Sequence, residues 1–502
     1  MSNSKRVFTV LVIDGGGVRG IVPARILETI EARTGKPIAE LFDMVGGVST
    51  GAIVAAGLSV PDEADPTKPK YTAENIKDFY FKQAPKIFPQ LRFKSLRQIS
   101  SSAAYDPRPI EDTLLTYFGE TRISDSLVSL MIPATDIKNF RPAWISSIKG
   151  QPDRSPEGWS SMLMRDAIRG ATTAPTYFPA KYVNTTPNAD VPGVQHRHTL
   201  IDGGFFSGNA MRRMLTQARK IAPPDAEIVV VHIGTGMIGN SLSPDEWNKL
   251  GPLGMLSKDK GSILMSLAIN IGILDMAQDL RDELGDRFVS LNGNIDFEDT
   301  VNHPSTDMDD ASIENMKLLE NFADRIVAES GEDFDRLCRM LDERLINEQK
   351  HTQSAQALTQ LTAHMEKIRT VKSLNRFYRL VLHTSSGLAN GGQPLTPRNA
   401  EQAEIFTLAG QLTETHRADL YRIYSVLQDK LQNQSQIMNS VKEAGDSMDR
   451  FMKKISGKFN SAANDDKPQD PPANDDITPP PAGLEHSPAP KKAPWWQRKR
   501  GS

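Results

Sequence analysis

Three short motifs carry residues able to do acyl-transfer chemistry. Gly47-Val48-Ser49-Thr50-Gly51 puts a hydroxyl between two glycines, directly after the apolar run Met44-Val45. On a tight strand-to-helix turn such a serine stands exposed, because side chains at Gly47 and Gly51 would collide with neighbouring backbone. The helix that follows, opening Ala52-Ile53-Val54-Ala55-Ala56, aims its positive end at the serine and favours an alkoxide. Upstream, Asp14-Gly15-Gly16-Gly17-Val18-Arg19-Gly20 follows the apolar run Val7–Ile13. Gly16 and Gly17 can turn their N–H groups toward a tetrahedral oxyanion, where loss of one donor costs about 100- to 1,000-fold in rate. Arg19 is the fixed cation of that turn, available to a substrate phosphate or to the loop itself. The third motif, Asp202-Gly203-Gly204, ends the run His198-Thr199-Leu200-Ile201.

Each motif has a competing reading. Gly15–Gly20 also satisfies the dinucleotide fingerprint G-x-G-x-x-G, which calls for a second strand ending in an acidic ribose ligand. Here the second strand runs into the serine elbow instead, so a nucleotide cofactor is not expected. A phosphate-binding P-loop fails because Ile21 and Val22 stand where Lys and Ser/Thr are needed. The base is harder to read. Of the nine histidines, His196 and His198 flank a strand start and His232 lies inside a strand, all suited to structural roles. Asp202 is a weak base at an ordinary carboxylate pKa of about 3.9. Burial beside Ser49 would raise it and make direct proton transfer feasible. The segment Ala174-Pro175-Thr176-Tyr177-Phe178-Pro179 reads as a rigid packed loop, without a catalytic role.

These residues need elements to position them. From residue 6 to about 345, apolar β-type runs alternate with amphipathic stretches, the pattern of an α/β fold. Strands are expected at Val7–Ile13, Met44–Val48, Leu130–Thr135, His198–Ile201 and Ile228–Ile233. Leu253–Leu284, rich in Ile, Leu and Met, reads as a core or pocket-lining helix. From about 350 strand signals vanish. Leu358, Leu361, Met365 and Ile368 keep heptad spacing, and Gly387, Gly391, Gly392, Pro394 and Pro397 break the chain. A 3-4 alternation then runs through Leu420, Tyr424, Leu427, Leu431, Met438, Val441, Met448, Met452 and Ile455, interrupted at Gln434 and Gly445. About five heptads imply a long helix in a hairpin or a coiled coil.

From Ser461 the chain holds nine of its 33 prolines and few aliphatic side chains. It cannot bury enough surface to offset chain entropy and is expected to be disordered. Its last residues place Trp495-Trp496 beside Lys491, Lys492, Arg498, Lys499 and Arg500, suited to an anionic bilayer surface, to solvation, or to a secretion or docking signal. Over the whole chain 59 basic residues face 62 acidic ones, a formal charge of −3, so nucleic acid is not an expected partner. No run reaches 18 apolar residues and no cleavable secretory signal is evident, which points to a cytoplasmic or peripherally membrane-associated protein, with non-classical secretion left open. Cys338, the single cysteine, excludes an internal disulfide and a thiolate metal cluster.

Asp14–Gly20, Gly47–Gly51, Ala174–Pro179 and Asp202–Gly204, with a weaker match at Ile233-Gly234-Thr235-Gly236, occur together and in order. In this the chain resembles the patatin-like phospholipases over roughly residues 6–345. The resemblance implies a three-layer α/β sandwich around a mainly parallel sheet. It implies a Ser–Asp dyad carried by Ser49 and Asp202, an oxyanion hole at Gly15, Gly16 and Gly17, and hydrolysis of lipid acyl esters with neither metal nor cofactor. The expected reaction is of phospholipase A type, on a phospholipid or other acyl lipid at a membrane surface. The expected organisation is a hydrolase domain at 6–345, a helical region at 350–460 able to self-associate or bind a protein partner, and a disordered tail at 461–502. Alternatives are an effector whose helical region gates the hydrolase, and a non-enzymatic scaffold.

Overall fold

Successive residues of the first strand face opposite sides of the sheet, and in this chain both sides are buried. In the computed structural model, which describes residues 6–89, 103–186, 196–206, 208–238, 243–249, 263–295, 303–385 and 396–462, strand β1 (Arg6–Ile13) is central. Its Leu11 and Ile13 enter one core and its Val10 and Val12 the other, so an unbroken apolar run is what the position requires. Around it lie β2 (Met44–Gly47), β3 (Ser129–Asp136), β4 (Arg141–Ser147), β5 (Lys181–Asn184), β6 (Arg197–Asp202), β7 (Ala226–Ile233) and β8 (Phe288–Leu291). The sheet order is β5-β6-β3-β2-β1-β7-β8, with β4 also paired to β3. Strands β3, β2, β1, β7 and β8 are parallel, while β4 and β6 run antiparallel to β3, and β5 to β6.

Helices cover both faces. On one lie α1 (Ile21–Thr34), α2 (Thr50–Gly57), α3 (Ala73–Ile87), α4 (Arg108–Phe118) and α5 (Met164–Ala171); on the other lie α6 (Gly208–Ile221) and α7 (Ile263–Leu284). The fold is therefore an α/β sandwich with a mostly parallel sheet, as expected. All five expected strands are present. Strands β4, β5 and β8 were not legible. Of the expected helix at 253–284, residues 253–262 lie outside the described residues. Helix α7 packs Ile273, Ala277, Leu280 and Leu284 against Met211, Met214 and Leu215 of α6, which makes it a core helix.

The rest of the chain is helical: α8 (Ile313–Glu366, kinked at Gly331), α9 (Val371–Ser385), α10 (Ala400–Gly410) and α11 (Glu414–Ala462). The described residues divide into two compact units, one built from residues up to 364 together with 378–422, the other from 365–377 with 423–462. Within the first, Ser354 of α8 is fully buried, bonds His416 Nδ1 (2.7 Å) and accepts from Thr413 N (2.7 Å). Within the second, Tyr424 of α11 donates to Asn375 of α9 (2.8 Å). Among the described residues no helix is long and apolar enough to cross a membrane. The tail beyond Ala462, with Trp495 and Trp496, lies outside the described residues.

One buried ion pair fastens α8 to the sheet. Arg344, 5% exposed, pairs with Asp43 just before β2 and donates to the Glu40 carbonyl (2.8 Å). Asp43 Oδ2 also accepts from Thr9 N (2.8 Å) and Thr9 Oγ1 (3.1 Å) of β1. Removing one partner strands a desolvated charge, whereas removing both does not. Asp43→Ala is expected to lower the unfolding free energy by about 3 kcal/mol, measured by denaturant titration. The double variant Asp43→Ala/Arg344→Met should regain only part of that loss, because the Thr9 N–H stays without its acceptor.

Candidate active site

The site forms where two strands share one edge of a third. Strand β4 pairs with β3 from Leu130 to Asp136 and occupies one edge throughout. On the other edge β2 pairs with β3 only at Ser129–Met131, and β6 takes over at Ala134–Asp136. Because β6 runs against β3 and β2 runs with it, the C-terminal ends of β2 and β6 meet. Ser49 lies two residues past the first end and Asp202 is the last residue of the second.

Ser49 sits at φ 54° and ψ −120°, a strained backbone for a residue with a side chain. The turn is held by Val48 N–H to the Ile13 carbonyl (3.0 Å) and by Gly51 N–H to the Val48 carbonyl (2.8 Å). A Cβ at Gly47 would lie 2.1 Å from the Gly51 carbonyl oxygen, and one at Gly51 would lie 2.5 Å from that of Ile13. Both glycines are therefore required by close approach of backbone. Ser49 caps α2, whose first turn holds no acidic residue to oppose negative charge.

Asp202 is 5% exposed and accepts a hydrogen bond from Gly204 N–H (2.8 Å). Its backbone is pinned by Asp202 N–H to the Thr173 carbonyl (2.9 Å) and by Thr135 Oγ1 to its own carbonyl (3.0 Å). Burial pushes its carboxyl up to about 6, against the opposing pull of nearby Ser49 and of the Gly204 N–H. Two of the histidines weighed as a base, His198 and His232, are committed elsewhere. His198 bonds Asp136 (2.8 Å) and Thr185 (3.3 Å), and His232 bonds Asp14 (2.8 Å) and Ser290 (2.9 Å), so each has partners at both ring nitrogens.

The glycine turn comes to the same place. A Cβ on Gly15 would stand 3.0 Å from the Ser49 Cβ, and Gly17, at φ +62°, lines a pocket together with Ser49. The turn is clamped from β7 and the segment after it. Asp14 N–H donates to the Ile233 carbonyl (3.0 Å), and Thr235 Oγ1 to the Gly15 carbonyl (2.6 Å). Arg19 is buried, donating to the carbonyls of Gly16 (3.4 Å) and Gly236 (3.3 Å). Burial lowers its guanidinium to about 10, so it stays charged at neutral pH, with Asp14 favouring that charge. Of its two sequence readings, the structure places Arg19 as a brace of the loop. The Asp14–His232–Ser290 chain beneath the turn was missed. Its signal lay in the adjacent ends of β1 and β7, where Ile13 pairs with Ile233.

From Ser49 a pocket runs between Ile53, Phe79, Ile87, Phe88, Ile110 and Phe178, walls suited to an acyl chain. Tyr177 and Phe178 bring the Ala174–Pro179 segment to this wall, with Thr176 at φ +73° and the Tyr177 carbonyl accepting from Tyr105 N–H (2.9 Å).

The model of the family described as patatin-like phospholipase matches residues 11–214, which contain the glycine turn, the elbow and Asp202. Residues 11–214 are a patatin-like phospholipase domain. "Patatin-like protein 2" of Arabidopsis thaliana is 29% identical over 64% of this chain and 82% of its own. "Patatin-like protein 2" of Oryza sativa subsp. indica reaches 34% identity over 43% of this chain and 54% of its own. "Probable inactive patatin-3-Kuras 1" of Solanum tuberosum is 28% identical over 67% of this chain and 93% of its own. A solved structure, that of VipD from Legionella pneumophila, aligns over 85% of this chain and 88% of its own, with 11% identity and a TM-score of 0.24. The patatin-like domain implies lipid acyl hydrolase activity.

The raised Asp202 carboxyl has a cost in stability. With a folded value near 6 and an ordinary value of 3.8, the folded state holds the proton longer than the unfolded state. Stability therefore falls as pH rises from about 4 to about 6, then stays at the lower level. Two pKa units correspond to on the order of 3 kcal/mol. Asp202→Asn, which cannot ionise, should unfold at higher denaturant than the parent at pH 8. That advantage should shrink toward pH 4.

Proposed function

We propose that this protein is a serine hydrolase of phospholipase A type, in which Ser49 is the nucleophile and Asp202 its base, acting without a histidine or a metal. What supports this reading is that the strained Ser49, which lines an apolar pocket, and the buried Asp202 lie at the ends of two strands that meet on one edge of β3. Ser49 Oγ attacks the carbonyl carbon of an acyl ester while its proton passes to Asp202. The oxyanion is held by backbone N–H groups of the Gly15–Gly17 turn, with Arg19 keeping the turn in place. Collapse breaks the ester C–O bond, and the departing alcohol takes the proton from Asp202. Water then attacks the acyl-Ser49 ester, delivers its proton to Asp202 and releases the fatty acid with Ser49 restored. The acyl chain lies along Phe79, Ile87, Phe88 and Phe178.

Hydrolysis is assigned to residues 6–345, on lipid presented at a membrane surface. A scaffold would have no use for a strained serine and a buried carboxylate, both of which cost stability. The name of the potato relative shows why the fold alone does not settle activity.

Ser49→Ala should lower fatty-acid release from phospholipid vesicles by roughly 10,000-fold or more and abolish labelling by a fluorophosphonate probe. Vesicle hydrolysis at the parental rate in that variant sinks the assignment. Because the base must be ionised, kcat/KM should rise with pH through about 6 and level off above it, following the Asp202 carboxyl. A rising limb that survives in Asp202→Asn would point to another base.

A further inference from the structure

Every described residue from Gln432 to Lys454 on α11 is exposed, so nothing described in this chain covers that half of the helix. Yet its apolar side chains are not scattered. Ile437, Met438, Val441, Met448, Phe451 and Met452 are each 59–68% exposed. Taking Tyr424 as heptad position a, the a and d positions run Leu427, Leu431, Gln434, Met438, Val441, Gly445, Met448 and Met452. The 3-4 spacing keeps its phase throughout, and the apolar stripe is interrupted only at Gln434 and Gly445. Ile437, Ala444 and Phe451 fall at g and widen the stripe on one side.

We propose that α11 pairs with α11 of a second copy of this chain as an antiparallel two-stranded coiled coil, with Gln434 of each copy packed against Gly445 of the other. Three observations favour this occupant. The 3.5-residue period keeps a stripe facing one partner over many turns, which a monomeric surface helix does not need. The six exposed side chains offer roughly 100 Å² each, judged by the size of such residues. A helix pair would then bury about 1,200 Å², the lower end of a standard stable interface. Finally, the charges from Tyr424 to Lys454 nearly cancel. Lys430, Lys442, Arg450, Lys453 and Lys454 make five positive, and Asp429, Glu443, Asp446 and Asp449 make four negative, a net of +1. A helix lying on an anionic bilayer carries a far more basic polar face.

Orientation follows from the two defects. In a parallel pair each a position meets itself, so Gly445 would face Gly445 and leave a hole on the axis, while Gln434 would face Gln434. In an antiparallel pair a meets d. The register that sets Met438 against Val441 also sets Leu431 against Met448, Leu427 against Met452, and Gln434 against Gly445. The long amide then enters the space that the glycine leaves. The g flanks also face one another, bringing Ile437 to Ala444 of the partner and Phe451 to the aliphatic stem of its Lys430.

The test uses the full chain. Sedimentation at tens of micromolar should give a dimer for the parent and a monomer for Met438→Glu/Met448→Glu, with self-association weakened at least 100-fold and the unfolding transition of the rest of the chain unchanged. Under mild oxidation, Gln434→Cys/Gly445→Cys should form covalent dimers while neither single variant does. In the antiparallel register like positions lie 11 residues, about 16 Å, apart along the axis, beyond the roughly 7 Å that a disulfide spans. Native Cys338 is buried and should not interfere. A monomeric parent, a trimer or tetramer, or covalent dimers of Gly445→Cys alone would each overturn the proposal. So would a monomer whose binding to phosphatidylserine vesicles is lost in the Met438→Glu/Met448→Glu variant, since the stripe would then serve the membrane.

Discussion

The geometry of the site depends on one edge of β3 being divided between two strands. Strand β2 leaves that edge after Met131 and β6 enters it from the opposite direction at Ala134. Two chain segments separated by 153 positions are thereby brought end to end, with Ser49 just past the end of one and Asp202 at the end of the other. Extending β2 by even a few residues would take its pairing positions into those that β6 uses. The elbow is the device that stops it. Gly47 and Gly51 let the chain turn through a space where a Cβ would sit 2.1–2.5 Å from a carbonyl oxygen.

Around this meeting point the structure holds several features that stability alone would remove. Ser49 occupies a backbone region that costs on the order of 1–3 kcal/mol for a residue with a side chain. Asp202 carries a charge at neutral pH in a site that resists it. Asp14, at the start of the glycine turn, is buried and meets His232, itself bonded to Ser290. These are offset by two apolar cores on either side of a sheet whose central strands are buried. Rigidity is also what such a site needs, because donors aimed in advance at a developing charge cost no reorganisation during reaction. The bonds from Thr235 to Gly15 and from Arg19 to Gly16 and Gly236 hold the turn from β7's side, independently of the elbow.

What could be read from the residues follows from how each strand is buried. The central parallel strands lie under helices on both sides and appear as continuous apolar runs, so Val7–Ile13, Met44–Val48 and Ile228–Ile233 were legible. Strand β4, Arg141-Pro-Ala-Trp-Ile-Ser-Ser, is half-exposed and opens with arginine and proline, a pattern that also suits a loop. Strands β5 and β8 have four residues each, too few for a period to register. The elbow and the glycine turn were legible as local backbone devices. That Asp202 meets Ser49 was not, because no spacing encodes a contact made through strand order; it came from resemblance. The brace role of Arg19 was one of its two readings, but its acceptor Gly236, 217 positions away, could not be read from spacing.

Helix α11 presents the opposite case, in which the sequence pattern says more than the fold of one chain uses. Through Tyr424, Leu427 and Leu431 the heptad stripe is partly covered, and Tyr424 bonds Asn375 of α9. Beyond Leu431 the same stripe continues without a change of phase into solvent, as far as side chains are described. If the pattern served only to hold α9, it would have no reason to continue once α9 ends. An isolated helix of this length also gains little from propensity alone and needs a packed face to be stable. Gly445, which costs about 1 kcal/mol in a helix interior relative to alanine, makes that need greater. A residue so unfavourable in a solvated helix is explained more readily when something must fit against it.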